Sequence, residues 1–167
     1  MLSAVYLWCL VKGLNAKAAG PTGIAAANVE IEGTDVCATT IHNLLDLDSE
    51  LQTKLDLAKL DHEKVRLLMK LSVLLLDEVS MLDTDIWHIL AAIMSTVDHS
   101  KHPKSQARDT DAFGQLHLLL FGDFKQLPPA TSLPPFIVIP SVYENFDFRV
   151  LRQNRRIVGD ASRKDEL

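Results

Sequence analysis

Cysteine is scarce in this sequence: Cys9 and Cys37 are the only two in 167 residues. Two thiols cannot staple a small framework together, so stability must come from an apolar core, and both read as small buried hydrophobes in a reducing compartment. Long hydrophobic runs are missing as well. The longest near the start, Ala4 to Val11, has eight residues, far short of the ~20 that a membrane-spanning helix requires. No transmembrane helix and no membrane partner are expected. A basic excess is also absent, since 17 Lys and Arg face 22 Asp and Glu for a net charge of −5. That excludes a surface holding nucleic acid by bulk charge alone and leaves room only for a local basic groove. What remains is 47% hydrophobic and 23% charged, the mixture of one globular domain large enough to bury a core.

The two ends carry address-like patterns. Ala4 to Val11 followed by Ala16-Lys17-Ala18 has the outline of a weak secretory signal, and the chain closes on Lys164-Asp165-Glu166-Leu167, an endoplasmic-reticulum retention tetrapeptide. No positive charge precedes the apolar run, and cleavage would fall just before the Gly20-Pro21-Thr22-Gly23 motif. The luminal reading is therefore disfavoured.

Two stretches organise the rest, Leu74 to Asp83 (LLLDEVSMLD) and Leu118 to Pro129 (LLLFGDFKQLPP). Each is an apolar run that ends abruptly in acidic or amide side chains, the pattern of a buried parallel strand delivering its last residues to a crevice at its carboxyl end. Asp77 and Glu78 would be costly in a core and must be solvated or paired with a cation. Magnesium suits them: Asp77 would hold it through oxygen, and Glu78 would orient or deprotonate a water attacking a terminal phosphate. A strand running into an ordinary polar loop has the same sequence. Gln126, on a loop opened by Gly122 and stopped by Pro128-Pro129, is placed to sense a phosphate through its amide.

The spacing of Ala4, Leu7, Trp8, Val11, Leu14 and Ala18 predicts a helix over residues 3–18, weakened by Gly13. Gly20 to Asn28 reads as a turn opening onto a helix of small residues, which lets backbone amides approach a phosphate, with Thr22 adding a hydroxyl; an ordinary tight turn is the alternative. Val29 to Ala38 suits a hairpin or loop, and Thr40 caps a helix carrying His42, which is either a ligand to phosphate or base or a structural histidine. Two short amphipathic helices are expected over Ser49 to Leu71, strands over Ser72 to Leu76 and Leu116 to Phe121, and a core helix bearing Ile86, Ile89, Leu90, Ile93, Met94 and Val97. His99 and His102 have metal-like spacing without a second ligand pair, so they read as exposed loop and no zinc is expected. Phe136 to Ile139 reads as a short strand, Tyr143 to Phe148 as an aromatic patch, and Arg152, Arg155 and Arg156 as a basic cluster suited to transition-state charge or simply to solvent.

In order, GPTGIAA, TTIHNLL, LLLDEVSML, FGDFKQLPP and LRQNRR resemble the motifs of the Pif-type DNA helicases, superfamily one and five-prime to three-prime, and of the related helicase part of Helitron transposons. The resemblance covers roughly residues 18–158, with FGDFKQLPP its most specific part. It implies an α/β fold, a RecA-like P-loop NTPase sheet with flanking helices, and ATP-dependent DNA unwinding of the kind used in DNA repair, recombination and telomere maintenance. It implies catalytic roles for Asp77, Glu78, Gln126 and Arg156. ATP as substrate and Mg2+ on Asp77 would be bound by Asp77, Gly122, Asp123, Gln126 and Arg156, and single-stranded DNA by Pro21, Thr22, Gly23, Thr40 and His42. A nuclear or mitochondrial location follows from the same resemblance.

The chain also departs from the family pattern. No G-x-x-x-x-G-K-S/T phosphate loop occurs anywhere in it. The expectation is a single partial RecA-like domain over residues 1–167, lacking the first strand and phosphate loop, starting just downstream of that loop, and followed by no second motor domain. A sheet with unpaired edges and marginal stability is then expected. Two readings stay open: a helicase motor domain inactive in isolation, and a non-catalytic remnant that binds single-stranded DNA or a partner weakly. Nothing in the sequence indicates an oligomeric state.

Overall fold

The computed structural model describes residues 1–27, 29, 38–47, 62–101 and 113–151. Its centre is a four-stranded, wholly parallel sheet in the order β2-β1-β3-β4, built from β1 (Ala16–Gly20), β2 (Thr39–Thr40), β3 (Val73–Leu76) and β4 (His117–Leu120). Ala16 pairs with Val73 and Ala19 with Leu76, while Val73 pairs with His117 and Leu76 with Leu120. The three longer strands thus run in register and end at one level. This is the RecA-like α/β arrangement that the resemblance implied, and the four strands make up part of such a domain.

Helices cover both faces. On one lies α1 (Leu2–Val11), whose Leu2, Tyr6 and Cys9 pack on Ala16, Ala18, Val73 and Leu75. The other face carries Leu74 and Leu76 against Ile41 of α3 (Ile41–Leu45), Leu68 of α4 (His62–Lys70), and Leu90 and Ile93 of α5 (Thr84–Lys101). Because β3 is covered on both sides, all four of its residues are buried, as expected of a central parallel strand. Trp87 anchors the far end of the second layer, stacked on Phe136 at 4.5 Å and meeting the edge of Phe113 at 5.0 Å.

Three expectations are corrected. The helix predicted over residues 3–18 stops at Val11, where Gly13 takes a left-handed φ of 69° and the Leu14 amide bonds back to the Cys9 carbonyl. Ala16 to Gly20 is instead a strand, fixed by parallel backbone pairing with β2 on one side and β3 on the other. Phe136 to Val138 forms a 3-10 turn between Pro135 and Pro140, not a strand, and leads into α6 (Pro140–Asn145). His99 lies within α5 and not in a loop, and His102 falls outside the described residues. The second helix expected before Leu71 is α4; the first falls outside them, as does nearly all of Val29 to Ala38.

β4 also differs from a fully buried strand. His117 is exposed and the three leucines of β4 are half-buried, because β4 is the outermost strand among the described residues. The His117 and Phe121 amides donate to Ser72 and Leu76 of the β3 side, so the alternate residues Leu118 and Leu120 turn their backbone groups outward. No helix among the described residues is long and apolar enough to cross a membrane.

Candidate functional site

In a parallel sheet every strand points the same way, so the residues that follow the strands collect along one rim. Pro21 and Thr22 follow β1, His42 follows β2 by two residues, Asp77 and Glu78 follow β3, and Gly122, Asp123 and Gln126 follow β4. Sequence segments far apart therefore meet at the carboxyl edge.

The carboxylate end is held by backbone bonds from both neighbouring strands. The Asp77 amide donates to the Ala19 carbonyl at 2.9 Å, and the Val79 amide donates to the Phe121 carbonyl at 3.0 Å. Between them Glu78 adopts the left-handed conformation, with φ 49° and ψ 40°. A non-glycine residue held there costs ~1 kcal/mol or more and persists only where its surroundings enforce it, commonly at active sites. Both carboxylates are half-buried, and among the described residues neither has an ion-pair partner. A half-buried pair of carboxylates at a strand end could hold a hard divalent ion through one carboxylate, with waters and phosphate oxygens completing the shell. Among the described residues no group of three or more His, Cys, Asp or Glu side chains that could hold a metal ion stands together. Just beyond, Ser80 is 3% exposed and its hydroxyl has no hydrogen-bond partner among the described residues.

Gly122 closes on this end. A Cβ on it would sit 2.9 Å from the Val79 amide nitrogen, so only glycine lets the loop after β4 leave so near Glu78. Asp123 then shapes the loop: its carboxylate accepts from the Lys125 amide at 3.0 Å and its carbonyl from the Gln126 amide at 2.9 Å. This Asx turn presents Gln126 on an exposed tip. Arg156 lies outside the described residues.

The residues expected to face DNA divide into lining and framework. Pro21, Thr22 and His42 border one cavity of about 190 Å³ together with Met81, Thr131 and Leu133. Gly23 begins α2 (Gly23–Ala27) and is exposed, while the Thr22 hydroxyl accepts from the Ala25 amide at 3.1 Å. Thr40 caps α3, its hydroxyl accepting from the Asn43 amide at 3.1 Å. Sequence reasoning passed over Asp83, which is 6% exposed and accepts from the Ile86 amide and the Thr131 hydroxyl, both at 2.9 Å. Its place just before Thr84, three residues ahead of Ile86, is the signature of a helix N-cap and could have been found. Lys64 was also missed; its Nζ donates to the Asn43 carbonyl at 2.7 Å and ties α4 to the end of α3.

A parallel sheet that delivers its strand ends to one rim is the frame of a RecA-like α/β domain, and comparison with known proteins agrees. The family described as "AAA domain" matches residues 3–132. The chain is 31% identical over 115 residues to the ATP-dependent DNA helicase PIF1 of Rattus norvegicus, covering 67% of this chain and 17% of the relative. To the Homo sapiens protein of the same name it is 30% identical over 120 residues, covering 69% and 17%. Among solved structures it is similar to Bacteroides sp Pif1 in complex with ADP-AlF4, with a TM-score of 0.58 and 28% identity over 88% of this chain and 30% of that one. Bacteroides Pif1 bound to ssDNA gives 0.56 and 27% over the same shares. The chain belongs to the AAA-domain family and, within it, to the Pif1-type ATP-dependent DNA helicases. It spans 17% of the length of the rat and human relatives.

Proposed function

We propose that this chain forms the ATP-hydrolysing and DNA-gripping rim of a Pif1-type helicase motor. The observation that carries the reading is the meeting of Asp77 and Glu78 with the Gly122 to Gln126 loop on the same rim as the cavity lined by Pro21, Thr22 and His42. Magnesium, when bound, would neutralise charge on the phosphates, with Asp77 as its protein ligand. Glu78 orients a water in line with the terminal phosphorus. As the new P–O bond forms and the bond to the diphosphate leaving group breaks, the water's proton passes to the Glu78 carboxylate. The Gln126 amide donates to a terminal phosphate oxygen, and Arg156 is assigned to the same phosphate by family resemblance. Single-stranded DNA runs past Pro21, Thr22 and His42, with Gly23 and Thr40 shaping that path. DNA unwinding by the whole protein, in repair, recombination and telomere maintenance in the nucleus or mitochondrion, belongs to the same proposal.

A second reading, single-stranded DNA binding without turnover, rests on the sequence, which contains no G-x-x-x-x-G-K-S/T run. An ATPase assay with single-stranded DNA separates the two. Magnesium-dependent turnover that disappears in Glu78→Gln establishes the first, and none in the wild-type chain, with DNA binding retained, establishes the second.

A further inference from the structure

Asp83 and Thr131 are 48 residues apart in sequence, yet the Thr131 hydroxyl donates to Asp83 Oδ2 at 2.9 Å. The other carboxylate oxygen, Oδ1, accepts from the Ile86 amide and so caps α5. Alongside, the Thr84 amide donates to the Pro134 carbonyl at 3.1 Å and the Phe136 amide to the Leu82 carbonyl at 3.0 Å, with Asp83 and Pro135 forming an isolated antiparallel bridge. The segment 131–136 is thereby clipped to residues 82–84. Both partners of the clip lie shortly after the hydrolytic groups, Asp83 after Glu78 and Thr131 after Gln126, and both line the same cavity as Pro21, Thr22 and His42.

We infer that the Asp83–Thr131 hydrogen bond is a positioning contact that holds the part of the cavity wall formed by Met81, Thr131 and Leu133 in the place that single-stranded DNA requires. The inference rests on the proposed DNA path. Thr131 acts through Asp83 and makes no phosphate contact of its own. Its side chain is exposed overall, so removing its hydroxyl opens no core cavity. It does leave one oxygen of a 6%-exposed carboxylate unpaired, and that carboxylate shifts to recover a partner. The backbone bonds on either side then loosen, and the wall moves with them.

The test uses the 167-residue chain and fluorescence anisotropy with a labelled oligothymidylate. Thr131→Val is expected to weaken binding about tenfold, the scale of one lost charge-assisted hydrogen bond. Thr131→Ser, which keeps the hydroxyl, is expected to bind as the wild type does. The slope of log affinity against log salt should be the same for all three, because no phosphate contact is removed. Amide hydrogen exchange supplies a second readout without DNA: Thr84 and Phe136 should exchange faster in Thr131→Val while β3 amides do not change. Wild-type affinity in Thr131→Val, equal weakening in Thr131→Ser, or unchanged exchange at Thr84 and Phe136 overturns the inference while leaving the DNA path intact. Failure of the wild-type chain itself to bind oligothymidylate overturns the DNA path and this inference with it.

Discussion

Gly122 lies so close to Val79 that a Cβ placed on it would come within 2.9 Å of the Val79 amide nitrogen and 3.0 Å of its Cγ2. The contact joins the exits of β3 and β4 immediately beside Glu78. Gly122→Ala must push the two apart, since one of the opposing atoms is backbone and cannot rotate away. The expected cost is about 1–3 kcal/mol of stability, read as a lower urea midpoint, with any ATP turnover falling further than the stability loss explains.

Glu78 offers a separation of strain from chemistry. With φ at 49°, Glu78→Gly removes the side-chain penalty of the left-handed conformation and should stabilise the fold by about 1 kcal/mol. The same substitution removes the carboxylate and should abolish ATP turnover. Thermal melting beside an ATPase assay checks both. A destabilised variant would show that the Glu78 side chain contributes more to the fold than its backbone costs.

Thr40 is assigned to the DNA path by resemblance, but its hydroxyl is engaged in capping α3. Thr40→Ala should therefore lose about 1 kcal/mol of stability, and Thr40→Ser should retain it. Chemical denaturation measures the difference. A loss of oligonucleotide affinity in Thr40→Ala without any stability change would instead assign the hydroxyl to DNA.

Cys9 is 1% exposed on the sheet-facing side of α1, and burial pushes its thiol above the ordinary range. The folded state thus favours the neutral thiol more than the unfolded chain does. The stability this carries is intact below the usual thiol pKa and is lost as pH rises through it, because there the unfolded chain ionises first. Iodoacetamide should label Cys9 slowly at neutral pH and rapidly in urea, as read by peptide mass spectrometry. Fast native labelling would mean that α1 lifts readily from the sheet.

The sequence spoke clearly where periodicity and composition agreed. β3 announces itself as four apolar residues ending in two acids, and α5 as a stripe of apolar residues at helical spacing; both fall where they were expected. β1 was hidden because Ala16 to Gly20 consists of residues with no strand preference, placed in a strand by neighbours far along the chain. The stop signal at Gly13 was visible, but its left-handed turn was not. Phe136 to Val138 has the composition of a strand, yet the prolines on either side leave room only for a tight turn. The motif residues were named from the sequence one by one, and the fold carries Pro21, Thr22, His42, Asp77, Glu78, Gly122, Asp123 and Gln126 to one rim. The Asp83–Thr131 clip and the Gly122–Val79 approach were not legible there, since each joins segments that only the tertiary fold brings together.

The wholly parallel sheet also sets the order in which the chain can fold. Each strand pairing seen here closes a long crossover, so backbone pairing yields no early local gain, and the loop entropy must be spent before β1 and β3 stabilise one another. During synthesis, α1 and β1 emerge well before β3 and must wait for it with Ala18 and Tyr6 uncovered. Slow refolding is the expected consequence of this strand order.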